Sequence, residues 1–297
     1  MASKVVITGA GGGFGKLTVK SLLDAGHQVV GTMRAVNGRN KEKAAELTAM
    51  GAQIVEMDVT QTTSVEAGIK AASEQLGGLD VVINNAGVGV IGMQEHFTPE
   101  DWQKVFEVNV FGVQRVVRAA APMMRAQQSG LLIYVSSLLG RMCMPFYGPY
   151  NASKFALEAL AENYRIELSS FGVENAIVEP GGFETEFFAN LIQPSDQGRA
   201  ESYGEFMEAP AQMGQSFGAA LAANQEQDPQ KVADAITSLI DMPRGKKPFR
   251  TTVDYMGMGD QVVKLNEVQE QAMSGVFGAF GIGNLLNVGS QAPADSN

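Results

Sequence analysis

Six times between residues 4 and 178 a short, β-branched run gives way to a longer stretch carrying apolar residues at helical spacing. The short runs fall at 4–8, 28–33, 53–57, 81–83, 131–135 and 173–178, and 249–253 adds a seventh. A helix between two strands returns the chain to the same end of the sheet, so the next strand runs parallel to the last. The alternation therefore predicts an α/β fold, a parallel sheet of about seven strands with helices on both faces. With 297 residues and 45% hydrophobic content the chain suits one large domain with a substantial core.

The first connection is the most distinctive. Strand 4–8 runs through Gly9-Ala10-Gly11-Gly12-Gly13-Phe14-Gly15 into an apolar-periodic helix at 17–25. Glycines at that place permit a tight turn and close backbone approach, leaving free amides at a helix N-terminus to meet a phosphate. A dinucleotide pyrophosphate fits such a site. The second strand ends in Thr32-Met33-Arg34, where dinucleotide folds that bind ribose hydroxyls carry an acid. Without the carboxylate there is no repulsion, and Arg34 offers a planar donor fork to a 2′-phosphate, with Arg39 and Lys16 able to add charge. NADP is thus favoured over NAD, the plainer alternative being that Arg34 caps an exposed loop.

Polar residues recur at the ends of the later strands. Asp58-Val59 closes the third strand, and Asp58 suits either an adenine amine or the cap of the helix starting near Thr62. Strand 81–83 runs into Asn84-Asn85-Ala86-Gly87, with Asn84 a structural support near the cofactor. One long helix is expected over 99–124, with Asn109 among apolar neighbours. An unpaired buried amide would cost about 1–3 kcal/mol, so Asn109 bonds a neighbouring helix carbonyl, holds a water beside the site, or does both.

Strand 131–135 leads to Ser137, and thirteen residues later Tyr150 and Lys154 stand four apart at a helix start. That spacing puts phenol and ammonium on one face. A neighbouring cation lowers a phenol pKa, which would make Tyr150 a proton donor near neutral pH. Ser137 and Tyr150 then converge on one carbonyl oxygen. By itself the pair is equally an ordinary helix-surface pair; its company in the chain favours the catalytic reading.

Composition excludes several classes. A net charge of −10 with no basic tract argues against nucleic-acid or acidic-membrane partners. Cys143 is the only cysteine, so no internal disulfide or multi-cysteine metal site forms, and His27 and His96 lack metal spacing and read as surface or helix-end residues. No apolar run is long enough to span a membrane and a strand begins at residue 4, so a soluble cytoplasmic protein is expected.

Taken together, Thr8-Gly9-x-x-x-Gly13-x-Gly15, Asn84-Asn85-Ala86-Gly87, Asn109, Ser137, Tyr150-x-x-x-Lys154 and Pro180-Gly181 with Thr185 resemble the single-domain branch of the short-chain dehydrogenase/reductase family over about residues 4–255. The resemblance implies a Rossmann-type, doubly wound sheet and hydride transfer between a nicotinamide and a carbonyl or secondary alcohol. Tyr150 would be the acid or base, Lys154 would lower its pKa and bond the nicotinamide ribose, Ser137 would orient the substrate oxygen, and Asn109 would hold a relay water. Gly9, Gly13, Phe14 and Gly15 would cradle the cofactor with Asp58 and Val59 at adenine. Asn85, Ala86, Gly87, Pro180, Gly181 and Phe183 would complete that site, with Thr185 near the carboxamide. A homodimer or homotetramer through the 99–124 and 150–170 helices is also implied. Gly12 departs from the family pattern, since many NADP-preferring relatives have serine or a basic residue there. A non-catalytic NAD(P)-binding regulator on the same fold is the alternative, and the presence of all four catalytic positions argues against it.

Residues 1–255 are read as the catalytic domain and 256–297 as a C-terminal extension. The long connection at 186–228 shows no clear strand but is rich in Phe and Met, which suits a lid over an apolar, adaptable pocket with Met93, Met142, Met144, Phe146 and Tyr147. A medium-sized apolar aldehyde or ketone fits such a pocket. The apolar tail around 275–286 is expected to pack on the pocket mouth or on another subunit, and polar residues 290–297 to lack order.

Overall fold

The computed structural model describes residues 2–288, so segment 290–297 lies outside the described residues. Seven strands form one sheet: β1 (Lys4–Thr8), β2 (Gln28–Met33), β3 (Gln53–Glu56), β4 (Val81–Asn84), β5 (Gly130–Val135), β6 (Val173–Pro180) and β7 (Arg250–Val253). All pairings are parallel and the order is β3-β2-β1-β4-β5-β6-β7, as the alternation requires. The chain winds outward from β1 in one direction and then restarts on its other side at β4.

Strand residues alternate between two cores. Val6, Val82, Leu132 and Ile177 face helices α3 (Thr62–Leu76), α5 (Val113–Ala126) and α6 (Gly148–Ser169). Val5, Ile7, Ile83, Ile133 and Val178 face α1 (Gly13–Asp24), α2 (Lys41–Ala49) and α10 (Gln230–Asp241). Strands covered on both sides explain why these runs are continuously apolar.

The expected 99–124 helix is interrupted. Helix α4 (Pro99–Phe106) starts with Pro99 in its first turn and a capping box between Thr98 and Asp101, and a π-helical turn over Glu107–Gly112 separates it from α5. Asn109 sits in that turn. Its side chain bonds outside the helix, Oδ1 accepting from Val88 N at 2.9 Å and Nδ2 donating to Val88 O at 2.9 Å and Ser153 Oγ at 3.0 Å. The expected helix-carbonyl partner is therefore replaced by a loop carbonyl, and the widened turn is what lets the amide reach it.

Segment 186–228, read as a connection without a clear strand, is largely helical: α7 (Glu186–Ala189), α8 (Ala200–Tyr203), a 3₁₀ turn over Gly204–Glu208 and α9 (Ala209–Ala223), none containing a buried residue. Of the two places expected for the tail, the pocket mouth is not the one taken. Helix α11 (Gly259–Ala279) lies against α6 and β7 rather than the pocket mouth, through an Arg165–Glu270 fork at 2.9 and 2.8 Å and Arg141 Nε donating to Asn266 Oδ1 at 2.7 Å. Its outer face leaves Val268 66% and Phe280 76% exposed. Both histidines, expected at the surface or at helix ends, are buried: His27 Nδ1 accepts from Ser3 N, and His96, at the end of a short 3₁₀ turn, packs edge-on against Tyr203.

The β1–α1 turn depends on close backbone approach. A methyl on Gly15 would come 2.3 Å from the Gly9 carbonyl oxygen and 2.8 Å from Asn85 Nδ2. Gly15→Ala is expected to destabilise by about 1–3 kcal/mol and lower Tm by several degrees. Gly218→Ala in α9, whose methyl meets nothing within 4 Å, should leave Tm unchanged or slightly raised. Thermal melts check both, and an unchanged Gly15→Ala melt would show that the turn relaxes around the methyl.

Candidate active site

The C-terminal ends of the strands open on a cavity of about 400 Å³ centred where the strand order reverses between β1 and β4. The seam there is closed by side chains. Thr8 Oγ1 accepts from Asn85 N and Ala86 N, both at 3.0 Å, and Asn85 Nδ2 donates to the carbonyls of Thr8 and Gly9. Gly9, at φ +66°, lies so close to Ala86 that a side chain would sit 2.9 Å from its Cα.

One wall of the cavity carries Gly9, Gly13, Phe14, Arg34, Asp58, Val59, Asn85, Ala86 and Gly87, and another Pro180, Gly181, Phe183 and Thr185. Gly15 does not line it; it packs beneath the turn. Asp58 does not cap α3: its Oδ1 accepts from Thr60 N and Oγ1, and its Oδ2 lies 3.8 Å from Arg34 Nη1. Asn84 is buried and donates to Ile133 O at 3.3 Å, the structural role expected of it.

Ser137, Tyr150 and Lys154 share the opposite end of the same cavity. β5 delivers Ser137 in extended conformation, its Oγ accepting from Leu139 N at 3.1 Å. The first turn of α6 delivers Tyr150 and Lys154, 8% and 5% exposed. The ammonium lies 5.6 Å from the phenol ring centre and donates to Val135 O at 2.8 Å. Burial pushes the Tyr150 phenol up to about 12, Ser137 offsetting part of the rise and Tyr147 adding to it. Burial also pulls Lys154 down to about 8, against the pull of the Glu158 carboxyl. The expected lowering of the phenol by Lys154 is thus overridden, because removing an ionised group from water costs more than one neighbouring charge returns. Asn109 does not line the cavity; it stands behind it, its Oδ1 and the Lys154 ammonium both flanking Gly87.

Sequence reasoning missed Lys43, Asn40 and Glu186 on the rim. Lys43 from α2 and Glu186 from the start of α7 pair at 2.5 Å directly over Gly12. No motif marks them, since the pair joins residues 143 apart. Of the apolar residues assigned to the substrate side, Phe187 and Phe188 line the cavity. Phe187 packs on the Tyr150 ring at 5.6 Å, and Met144, Tyr147, Leu191, Ile192 and Met213 join the same apolar cluster. Tyr203 instead anchors the lid from outside, donating to Glu95 at 2.6 Å, and Phe206 is exposed. Among the described residues no three His, Cys, Asp or Glu side chains are grouped to hold a metal, and no helix is long and apolar enough to cross a membrane.

This geometry has close counterparts. A family model described as short chain dehydrogenase matches residues 3–196. The chain belongs to the short-chain dehydrogenase family. As a short-chain dehydrogenase it is an oxidoreductase, and it is 34% identical over 254 residues to a 3-ketodihydrosphingosine reductase of Bacteroides thetaiotaomicron, covering 84% of this chain and 87% of that one. Identity to retinol dehydrogenase 8 of Bos taurus is 33% over 263 residues, covering 84% and 82%. Among solved structures, an alcohol dehydrogenase from Thermococcus sibiricus complexed with 5-hydroxy-NADP superposes with a TM-score of 0.66 at 25% identity, covering 84% of this chain and 96% of that one.

In this short-chain dehydrogenase the lid is held at its outer end by one buried carboxylate. Asp101 accepts from Ser195 Oγ at 2.7 Å, Ser195 N at 2.9 Å and Thr98 N at 3.1 Å. Burial alone would raise its pKa, but these donors and Lys104 outweigh burial and hold it well below the usual carboxylate range. A pKa depressed on folding stabilises above the unfolded value, near 4, and the contribution is lost as pH falls through the lower folded value. Asp101→Asn should therefore loosen the lid at neutral pH, speeding tryptic cleavage after Arg199 about tenfold or more. In the wild type, Ser195 amide protection should persist from neutral pH to below about 4. Equal cleavage rates in the two proteins would remove Asp101 as the anchor.

Proposed function

We propose that the chain is an NADP(H)-dependent oxidoreductase acting on a carbonyl or secondary alcohol, with a medium-sized apolar aldehyde or ketone as substrate. The observation that carries this is the meeting of Ser137, Tyr150 and Lys154 in the same cavity as the glycine turn and Arg34. The cradle fits a dinucleotide: Gly11, Gly12, Gly13 and Phe14 at the start of α1 line the cavity, Gly9 leaves no room for a side chain against Ala86, and Arg34, Arg39 and Lys43 ring the end beyond β2. Those three cations favour a 2′-phosphate, and Asp58, the nearby acid, is itself paired with Arg34.

The bound nicotinamide supplies or accepts the hydride. In reduction the Tyr150 hydroxyl gives its proton to the carbonyl oxygen, and in oxidation the phenolate takes it from the alcohol. The Ser137 hydroxyl donates to the same oxygen and fixes its position between the two groups. Lys154 faces the phenol and the ribose end of the cleft, so its charge favours phenolate. Asn109, bonded to Val88 and Ser153, keeps the Gly87 loop and α6 at a fixed separation beside the ammonium.

Apolar character is supported by the cluster of Tyr147, Tyr150, Phe187, Leu191, Ile192 and Met213 at the substrate end. The two relatives named for a ketodihydrosphingosine and for retinol act, by those names, on an oxo compound and an alcohol. A subunit contact through α4–α5 and α6 is part of the same reading, since Phe111, in the π turn between α4 and α5, and Phe155, on α6, are 49% and 40% exposed.

The test is NADPH and NADH oxidation against a panel of aldehydes and ketones. Tyr150→Phe should lower kcat by about 10²–10⁴-fold while NADPH affinity stays within a few-fold. Arg34→Ala should raise KM for NADPH and spare NADH. A preference for NADH in the wild type would remove the role given to Arg34, and tight cofactor binding without turnover would favour a cofactor-binding regulator.

A further inference from the structure

Behind the catalytic lysine lies a cluster of charge that the chemistry above does not use. Arg250 on β7 is ringed by three carboxyls: Glu158 at 2.9 Å, Glu179 at 3.5 Å and Glu162, which bonds its Nη2. Glu158 and Glu179 are 2% and 0% exposed, and one oxygen of each is buried without a hydrogen-bond partner. Arg141 approaches from the loop after β5, and α11 closes the cluster with Asn266 donating to Glu179 and Gln269 to Glu162.

Glu158 stands one turn after Lys154 on α6. The four-residue spacing puts the two side chains on one face of the helix, both of them buried. The groups around the ammonium are Tyr150 on its own helix, the uncharged Val135 carbonyl, and Glu158 as the carboxylate acting on it.

The buried acids differ in their partners. Arg250 Nε donates to Glu158 Oε2 at 2.9 Å, which favours the ionised form. Glu179 accepts from two neutral groups, Thr252 Oγ1 at 2.8 Å and Asn266 Nδ2 at 2.7 Å, and lies farther from the guanidinium. Burial raises both carboxyls, but at Glu158 the Arg250 guanidinium and the Ser136 hydroxyl pull back, whereas at Glu179 the like charge of Glu158 adds to the rise. Two buried like charges do not both stay ionised cheaply, so the proton resides on Glu179 and the negative charge on Glu158.

We propose that Glu158 is a positioning residue, the buried counter-charge that keeps Lys154 an ammonium while Tyr150 transfers its proton. The inference rests on the roles given to Tyr150 and Lys154 above. It explains how a lysine 5% exposed, bonded only to a carbonyl among the protein groups, remains charged at neutral pH. It also gives α11 a part in the active site, because Asn266 and Gln269 shield the cluster from water.

The test reads Lys154 directly, by ¹³C NMR of the Cε of labelled lysines, with the signal assigned by its loss in Lys154→Arg. Glu158→Gln should move the Lys154 titration down by about one pH unit. Glu158→Asp, which withdraws the charge by one methylene, should move it the same way by less, and serves where the Gln variant does not fold. Glu179→Gln, which replaces a neutral group with a neutral one, should leave it in place. The alkaline limb of the kcat/KM profile for carbonyl reduction should shift with the titration in each variant. A merely structural role would lower Tm and kcat at every pH and move neither curve. An unmoved Lys154 titration in the Glu158 variants, or an equal shift in Glu179→Gln, overturns the inference. A shifted titration in a protein that turns over no carbonyl supports the inference and counts against the functional reading alone.

Discussion

Seven strands running one way bring seven C-terminal ends to one edge of the sheet, and everything functional in this chain is hung there. The reversal of strand order beside β1 keeps the two flanking crossovers apart and opens a crevice between them. That crevice is then narrowed by groups that cannot be bulky or unpaired. The Gly9 turn meets the Ala86 backbone, and the Thr8 hydroxyl takes two amides of the facing loop. Rigidity at this seam sets the distance between the glycine turn after β1 and the Asn85–Gly87 loop after β4.

Charge at the other end of the crevice is governed by burial. Tyr150 and Lys154 lie four apart on a helix, yet the phenol is pushed up and the ammonium pulled down because both have left water. A lysine beside a tyrosine is thus insufficient by itself as a catalytic device. It acts only if its own charge is sustained, and among the carboxyls around Arg250 is Glu158, one turn from Lys154 on α6 and outside the cavity lining.

Strand positions, sheet direction and the meeting of Ser137, Tyr150 and Lys154 in one cavity were legible because each depends on a local pattern: β-branched runs, a glycine turn, a four-residue spacing. What was not legible depends on contacts distant in sequence. The π turn at Asn109 exists because an amide reaches Val88, twenty-one residues back, and nothing in the apolar periodicity of 99–124 signals the extra residue in that turn. The Lys43–Glu186 pair spans 143 residues. His96 reads as a helix-end residue and is one, but its burial under Tyr203 depends on how the lid folds back. Of the two places the tail's apolar residues suggested, the pocket mouth and another subunit, the first is not taken: Asn266 and Glu270 decide where α11 docks, leaving Phe280 exposed.

The two halves of the site are built to opposite standards. On the sheet side, buried polar groups such as Asn109 and Lys154 are tied to specific backbone carbonyls, an arrangement that tolerates little displacement because a broken bond would leave a polar group unpaired out of water. On the lid side, α7, α8 and α9 bury no residue, and attachment is concentrated at the rim through Asp101, Glu95 and the Val90–Ile192 bridge. A proton transfer requires fixed geometry, while an apolar pocket adapts its shape through Met and Phe side chains. The two sides differ in kind: Ser137, Tyr150 and Lys154 stand on elements held by directional hydrogen bonds, and the facing Phe and Met surface is left to non-directional contacts that can rearrange at small cost.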